Sequence, residues 1–205
     1  MNKETARVEA FSDGVFAIAI TLLVLDLKVP PTMPAGLRAQ LLRQWPTYVA
    51  FFISFAFIGI MWINHHRLFN LIHRSNNTLM ILNLALLLGV TFVPYPTSVL
   101  ANQLRGGDSR TAALFFNGTF VAIAIVFNVL WHYCASKDGH MLGPAADRTD
   151  ARRISTQYAV GPVAYFVCLL LGLWSVAVSL TLEIALAIFF ALPPHRSVKL
   201  LGKPE

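Results

Sequence analysis

Hydrophobic residues fall into long, almost unbroken blocks, and polar residues gather in short clusters between them, many with proline or glycine. Blocks of this length match helices that cross a bilayer, since a hydrocarbon core of roughly 30 Å needs about 20 apolar residues. The first block covers 11–27 and stops at Lys28 and the Pro30, Pro31 pair. A helix beginning upstream of Phe11 gives it the reach to cross. The second runs 46–64, opens on Pro46 and trails helically through His65, His66 and Arg67. The third is 78–100, with Pro94 and Pro96 near its far end; the fourth is 111–133, bounded by Arg110 and by Lys137, Asp138 and Gly139. From 154 to 192 the chain has 39 residues with Glu183 as their one formal charge. That is about twice what one helix needs, so it reads as a hairpin, 155–171 and 175–192, turning within 172–175. The pattern predicts an all-α integral membrane protein of six spans forming one unit over 1–205, with five spans the main alternative. Between the first two spans, Leu37, Leu41, Leu42 and Trp45 oppose Arg38, Gln40, Arg43 and Gln44, as in a short amphipathic helix lying at the outer surface.

Composition sharpens this picture. Of 205 residues 56% are hydrophobic and 13% charged, about half the charge of an ordinary soluble domain. The polar side chains are too few to cover a globule, so much of the surface faces lipid. The net charge of +6 comes from cations in the gaps between apolar blocks and forms no basic stripe, which excludes nucleic acid as the partner. Sorted by gap, eleven cations (Lys3, Arg7, Arg67, Arg74, Lys137, Arg148, Arg152, Arg153, Arg196, Lys199 and Lys203) share one side. Five (Lys28, Arg38, Arg43, Arg105 and Arg110) take the other. The positive-inside rule then puts both termini in the cytoplasm, which fits an even number of spans. No A-x-A-like cleavage site follows the first block, which is expected to remain in the mature protein.

Little in the chain points to an enzyme or a resident cofactor. Cys134 and Cys168 have no metal-ligand spacing and read as small apolar residues. Neither H-E-x-x-H nor G-x-S-x-G occurs. His65, His66 and His132 fall near the cytoplasmic ends of spans, where a bis-histidine haem is one reading and interfacial or hydrogen-bonded histidine the commoner one. Glu183 should be protonated, paired or beside water, and an interhelical hydrogen bond is its expected state.

The first helix carries the most unusual residues, because Arg7, Ser12, Asp13, Thr21 and Asp26 lie on or beside a segment that must otherwise satisfy lipid. Advancing 100° per residue from Ile18 at zero places Phe11 at about +20°, Gly14 at about −40°, Thr21 at about −60°, Leu22 at about +40° and Leu25 at about −20°. Ser12 and Asp13 fall at about +120° and −140°, turned away from that stripe.

Arg7, then Phe11-Ser12-Asp13 after a three-residue gap, then GVFAIAITLLVLDL, resembles the signature of the transmembrane-protein-175 family of potassium-permeable channels. Looser agreement extends over nearly the whole chain, including Trp62, His65 and His66, Leu82-Asn83-Leu84 and Phe92-Val93-Pro94. The resemblance implies a homotetramer whose four first helices line a central pore. Ile18, Leu22 and Leu25 would then form successive apolar rings, with Ile18 nearest the cytoplasm and Thr21 contributing polarity to potassium selectivity. The chain has no TVGYG carbonyl filter. Asp26, near the outer end, reads either as a pore-mouth carboxylate that concentrates cations or as a solvated helix end.

Arg7, Phe11, Ser12 and Asp13 read as a structural lock on the first helix, closed by Trp62, Asn64, His65 or His66 of the second span and Asn83 of the third. The partners expected are other copies of the chain, lipid and permeant potassium, with no cofactor or metal. A small secondary transporter working through Asp13 or Glu183, and a haem-binding redox protein, are the other readings. No inverted repeat or paired broken helices favour the transporter.

Overall fold

The computed structural model describes residues 3–28, 36–136, 141–143 and 148–191. Helix α1 is Lys3–Leu22 and continues as a 3-10 turn, Leu23–Asp26. The others are α2 Leu37–Arg43, α3 Trp45–Phe69, α4 Asn77–Phe92, α5 Pro94–Gln103, α6 Ser109–Ala135, α7 Arg148–Gly172 and α8 Val176–Ala191. Among the described residues there is no strand beyond one isolated bridge. Pro30, Pro31, Lys137, Asp138 and Gly139, expected as boundaries, and Arg196, Lys199 and Lys203, expected on the cytoplasmic side, lie outside the described residues.

Five runs are long and apolar enough to cross a membrane: Glu4–Asp26, Trp45–Phe69, Asn77–Gln103, Ser109–Ala135 and Ile154–Gly172. A further apolar helix, Val176–Phe190, is shorter. At 1.5 Å per residue the 16 residues of α8 rise only about 24 Å. The turn joining it to α7 falls at Leu173, Trp174 and Ser175. Helix α2 buries none of its residues, and Leu37 and Leu42 are its most exposed apolar side chains.

Prolines shape two of the long helices. Pro94 has no N–H, so the helix of the third run breaks at Val93, where Val93 N donates instead to Val90 O over three residues. The run resumes as α5, and Thr97 Oγ1, bonded to Val93 O at 2.7 Å, meets Ser54 Oγ of α3 at 2.7 Å in a buried contact. Pro162 stands inside α7 and frees the carbonyl four residues back, that of Tyr158. The Asn128 side-chain amide of α6 donates to that oxygen. Replacing Asn128 by leucine is therefore expected to lower stability by about 1–3 kcal/mol. Adding Pro162→Ala, which restores an N–H for the Tyr158 carbonyl, should recover part of the loss. Thermal unfolding midpoints of the single and double variants check this.

The core runs through α1 and α3 to α8 and is rich in aromatic rings. Phe57 of α3 packs on Phe120 of α6 with centroids 4.4 Å apart, and Trp131, fully buried, donates from Nε1 to Ser155 Oγ of α7 at 2.8 Å. At one end of the bundle, Ile72 and Leu142 bridge, with His73 N donating to Met141 O and Gly143 N to Leu71 O. A Cβ on Gly143 would stand 2.2 Å from His73 Nδ1, so any larger residue requires the His73 ring to move. Asn76 caps α4 by accepting from Leu79 N and ties it to α6 by donating to the Tyr133 hydroxyl.

Candidate functional site

Helix α1 has two faces of opposite character. Thr5, Glu9, Ser12, Phe16, Ala19 and Leu23 are buried and lie within about 40° of one another's mean direction, packed toward α3 and α4. The opposite side carries Phe11, Gly14, Ile18, Thr21, Leu22 and Leu25, all exposed. Ile18 and Leu25 are 60% and 59% exposed, and nothing approaches within 4 Å of where a Cβ on Gly14 would stand. This is the stripe expected from helical spacing.

Its C-terminal end differs in one respect. Because residues 23–26 form a 3-10 turn, each advances about 120° and rises about 2 Å. Leu25 therefore stands almost directly above Leu22 and not to its side. Ile18, Leu22 and Leu25 follow at intervals of about 6 Å along the axis. Thr21 Oγ1 donates to Ile18 O at 2.8 Å, so its free lone pairs remain on the exposed side. Asp26 is half-buried, at the end of the turn.

The buried face is held by a chain of polar contacts. Ser12 Oγ donates to Val8 O at 2.8 Å and accepts from Asn83 Nδ2 of α4 at 2.9 Å. Asn83 Oδ1 thus faces His65 Nε2 of α3 at 2.9 Å, which makes Nε2 the proton-bearing nitrogen. The His65 ring is buried between Phe16 and Phe69, and its Nδ1 has no hydrogen-bond partner among the described residues. One step toward the surface, Trp62 Nε1 donates to Asp13 Oδ1 at 2.8 Å, and the Trp62 ring stacks on His66. His66 Nδ1 meets the buried Glu9 carboxylate at 2.8 Å.

Of the residues expected to lock the first helix, Ser12, Asp13, Trp62, His65, His66 and Asn83 come together. Arg7 and Phe11 do not: at about −20° and +20° they project from the exposed stripe, and both line an open cavity with Glu4, Ser75 and Asn76. Asn64, another candidate, bonds the Phe190 carbonyl of α8. Glu9 was missed, although at about 180° from Ile18 it sits one turn before Asp13 on the same face. His132, the third histidine near a span end, is exposed on α6. Glu183 departs from expectation. It is fully buried, yet neither carboxylate oxygen has a hydrogen-bond partner among the described residues.

The family model described as endosomal/lysosomal potassium channel TMEM175 matches residues 7–94. A protein of Chamaesiphon minutus named a potassium channel is 50% identical over 192 residues, 92% of this chain and 94% of that one. One of Streptomyces collinus, also named a potassium channel, is 43% identical over 91% of each chain. A crystal structure of a lysosomal potassium-selective channel TMEM175 homolog from Chamaesiphon minutus superposes with a TM-score of 0.85 at 47% identity, covering 93% of this chain and 97% of that one. With identity at this level sustained over nearly its full length, the chain belongs to the TMEM175 family.

Proposed function

We propose that the chain is a six-span subunit of a homotetrameric, moderately potassium-selective cation channel, with four copies of α1 around a central pore. What carries this reading is the two-sided first helix: one face bound into the subunit by Ser12, Asp13 and Glu9, the other left as an exposed stripe. One copy has one such helix and cannot enclose a path. Close relatives named potassium channels support the permeant ion.

In this assembly Ile18, Leu22 and Leu25 form stacked apolar rings that act as filter and gate. An apolar ring offers a cation no substitute for its hydration shell, so a narrow ring dewets and blocks while a slightly wider one passes partly hydrated ions. Potassium holds its water less tightly than sodium and loses less in such a passage. Thr21 presents hydroxyl lone pairs beside the Ile18 ring, and Asp26 raises the local cation concentration at the outer mouth. The contacts of Ser12, Asp13, Trp62, His65, His66 and Asn83 set the angle of α1. Both termini lie in the cytoplasm of a prokaryotic cell membrane, α8 spans with α7 as a hairpin, and no cofactor is needed.

The test is the reversal potential across a planar bilayer holding purified protein, with potassium chloride on one side and sodium chloride on the other. The expected result is a stable conductance whose reversal follows the potassium gradient. Saturable flux coupled to a second ion, with no conductance, would replace the channel by a carrier.

A further inference from the structure

Helices α3, α6, α7 and α8 surround a cavity with about 550 Å³ of atom-free space, part of it open to the surroundings. Its lining falls into three tiers, because each long helix brings a residue back to the same side every turn. The floor is an aromatic triangle: Phe57 lies 4.4 Å from Phe120 and 6.0 Å from Tyr165, and Phe120 and Tyr165 are 6.2 Å apart, ring centre to ring centre. One turn along, Met61, Ile123, Ala124, Gly161 and Pro162 line the middle, where Ala124 and Gly161 are too small to fill the space. A further turn brings Asn64, Asn128 and Tyr158 to the other end, about 10 Å from the floor. Phe57 and Phe120 are buried while Met61, Ala124, Asn128 and Pro162 are half-buried, so the cavity opens above its floor.

The polar groups at that end are amides with protons to spare. Asn64 Nδ2 donates to Phe190 O at 3.4 Å, its Oδ1 accepts from Arg67 at 3.4 Å, and Asn128 Nδ2 donates to Tyr158 O. Each amide nitrogen carries two N–H groups, so each keeps one beyond these bonds. An empty cavity forfeits the dispersion contacts its walls could make, and water gains little below the amides, where the walls are apolar. We propose that the cavity seats one acyl chain of a membrane phospholipid, its ester carbonyl at Asn64 and Asn128 and its hydrocarbon running down to Phe57, Phe120 and Tyr165. The order of the walls matches that molecule, with N–H donors at one end for the ester oxygen and apolar surface beyond. The cavity lies among the apolar, membrane-crossing runs of α3, α6 and α7 and the shorter apolar α8, where phospholipid is the apolar molecule present in bulk. The site does not depend on the α1 stripe or on what passes along it.

The experiment places the purified full-length protein in phosphatidylglycerol vesicles containing a phosphatidylglycerol with a diazirine on one acyl chain, and maps the adducts by mass spectrometry after irradiation. With the diazirine about 10 Å from the ester, adducts are expected on Phe57, Phe120 or Tyr165. With it beside the ester, they should move to Met61, Asn64 or Asn128. Ala124→Phe, which fills the middle tier with a ring, should lose the floor adducts and keep those on outward residues such as Ile125 and Val163, both exposed. Wild-type adducts confined to exposed residues, or floor adducts undiminished in Ala124→Phe, would overturn the proposal. If Ala124→Phe does not fold, the wild type decides: floor labelling by the distal diazirine and not by the one beside the ester supports the site, and the same labelling from both refutes it.

Discussion

Ile18→Asn is expected to bring the potassium-over-sodium permeability ratio close to one while raising conductance. A tenfold ratio corresponds to about 1.4 kcal/mol between the two barriers. One hydrogen bond to a charged group contributes about 1.5–3 kcal/mol. An amide in each copy of the ring therefore gives a dehydrating ion enough compensation to erase a difference of that size, and it holds water where isoleucine excludes it. Ile18 projects freely from α1, 60% exposed in the single subunit, so the substitution should leave the subunit's fold intact. Reversal potentials under matched potassium and sodium gradients give the ratio. An unchanged ratio would remove Ile18 from the filter.

Asn83→Leu is expected to act on the other face, reducing assembled protein without changing the selectivity of the channels that remain. Asn83 joins three helices, donating to Ser12 of α1 and accepting from His65 of α3. Leucine leaves His65 buried with neither ring nitrogen partnered, since Nδ1 has no partner already. Two lost bonds and one stranded donor amount to about 2–4 kcal/mol. Asp13→Asn should be milder, because its amide oxygen still accepts from Trp62 Nε1. Size-exclusion profiles in detergent, read beside bilayer recordings, separate the two effects. Normal assembly with altered selectivity in Asn83→Leu would overturn this division between faces.

Much of this was legible in the sequence because the bilayer imposes simple rules on composition. Blocks closed by charges and prolines mark the long helices, and 3.6-residue spacing separates Ile18 from Ser12 and Asp13. What escaped depends on partners far apart in the chain. The motif suggested that Arg7 and Phe11 act with Ser12 and Asp13, but residues one, two, five or six positions apart on a helix point well away from one another, and here they divide. Glu9 went unremarked in the sequence, where nothing local announces that His66 closes over it. Glu183 was expected to find a hydrogen bond, but whether a donor reaches a buried carboxylate depends on helices packed from elsewhere in the chain, and none does among the described residues. The 3-10 turn that stacks Leu25 over Leu22 has no proline or glycine to betray it.

The Tyr158 carbonyl, released by Pro162 and met by Asn128, also bears on how the protein is made. Hydrocarbon offers no replacement for a missing backbone bond, so α7 entering the bilayer alone would carry a bare carbonyl into lipid. Ribosomal synthesis delivers α6 first, with Asn128 already in place. The two helices are thus suited to leave the translocon side by side, with the proline tying the insertion of the later helix to the presence of the earlier one.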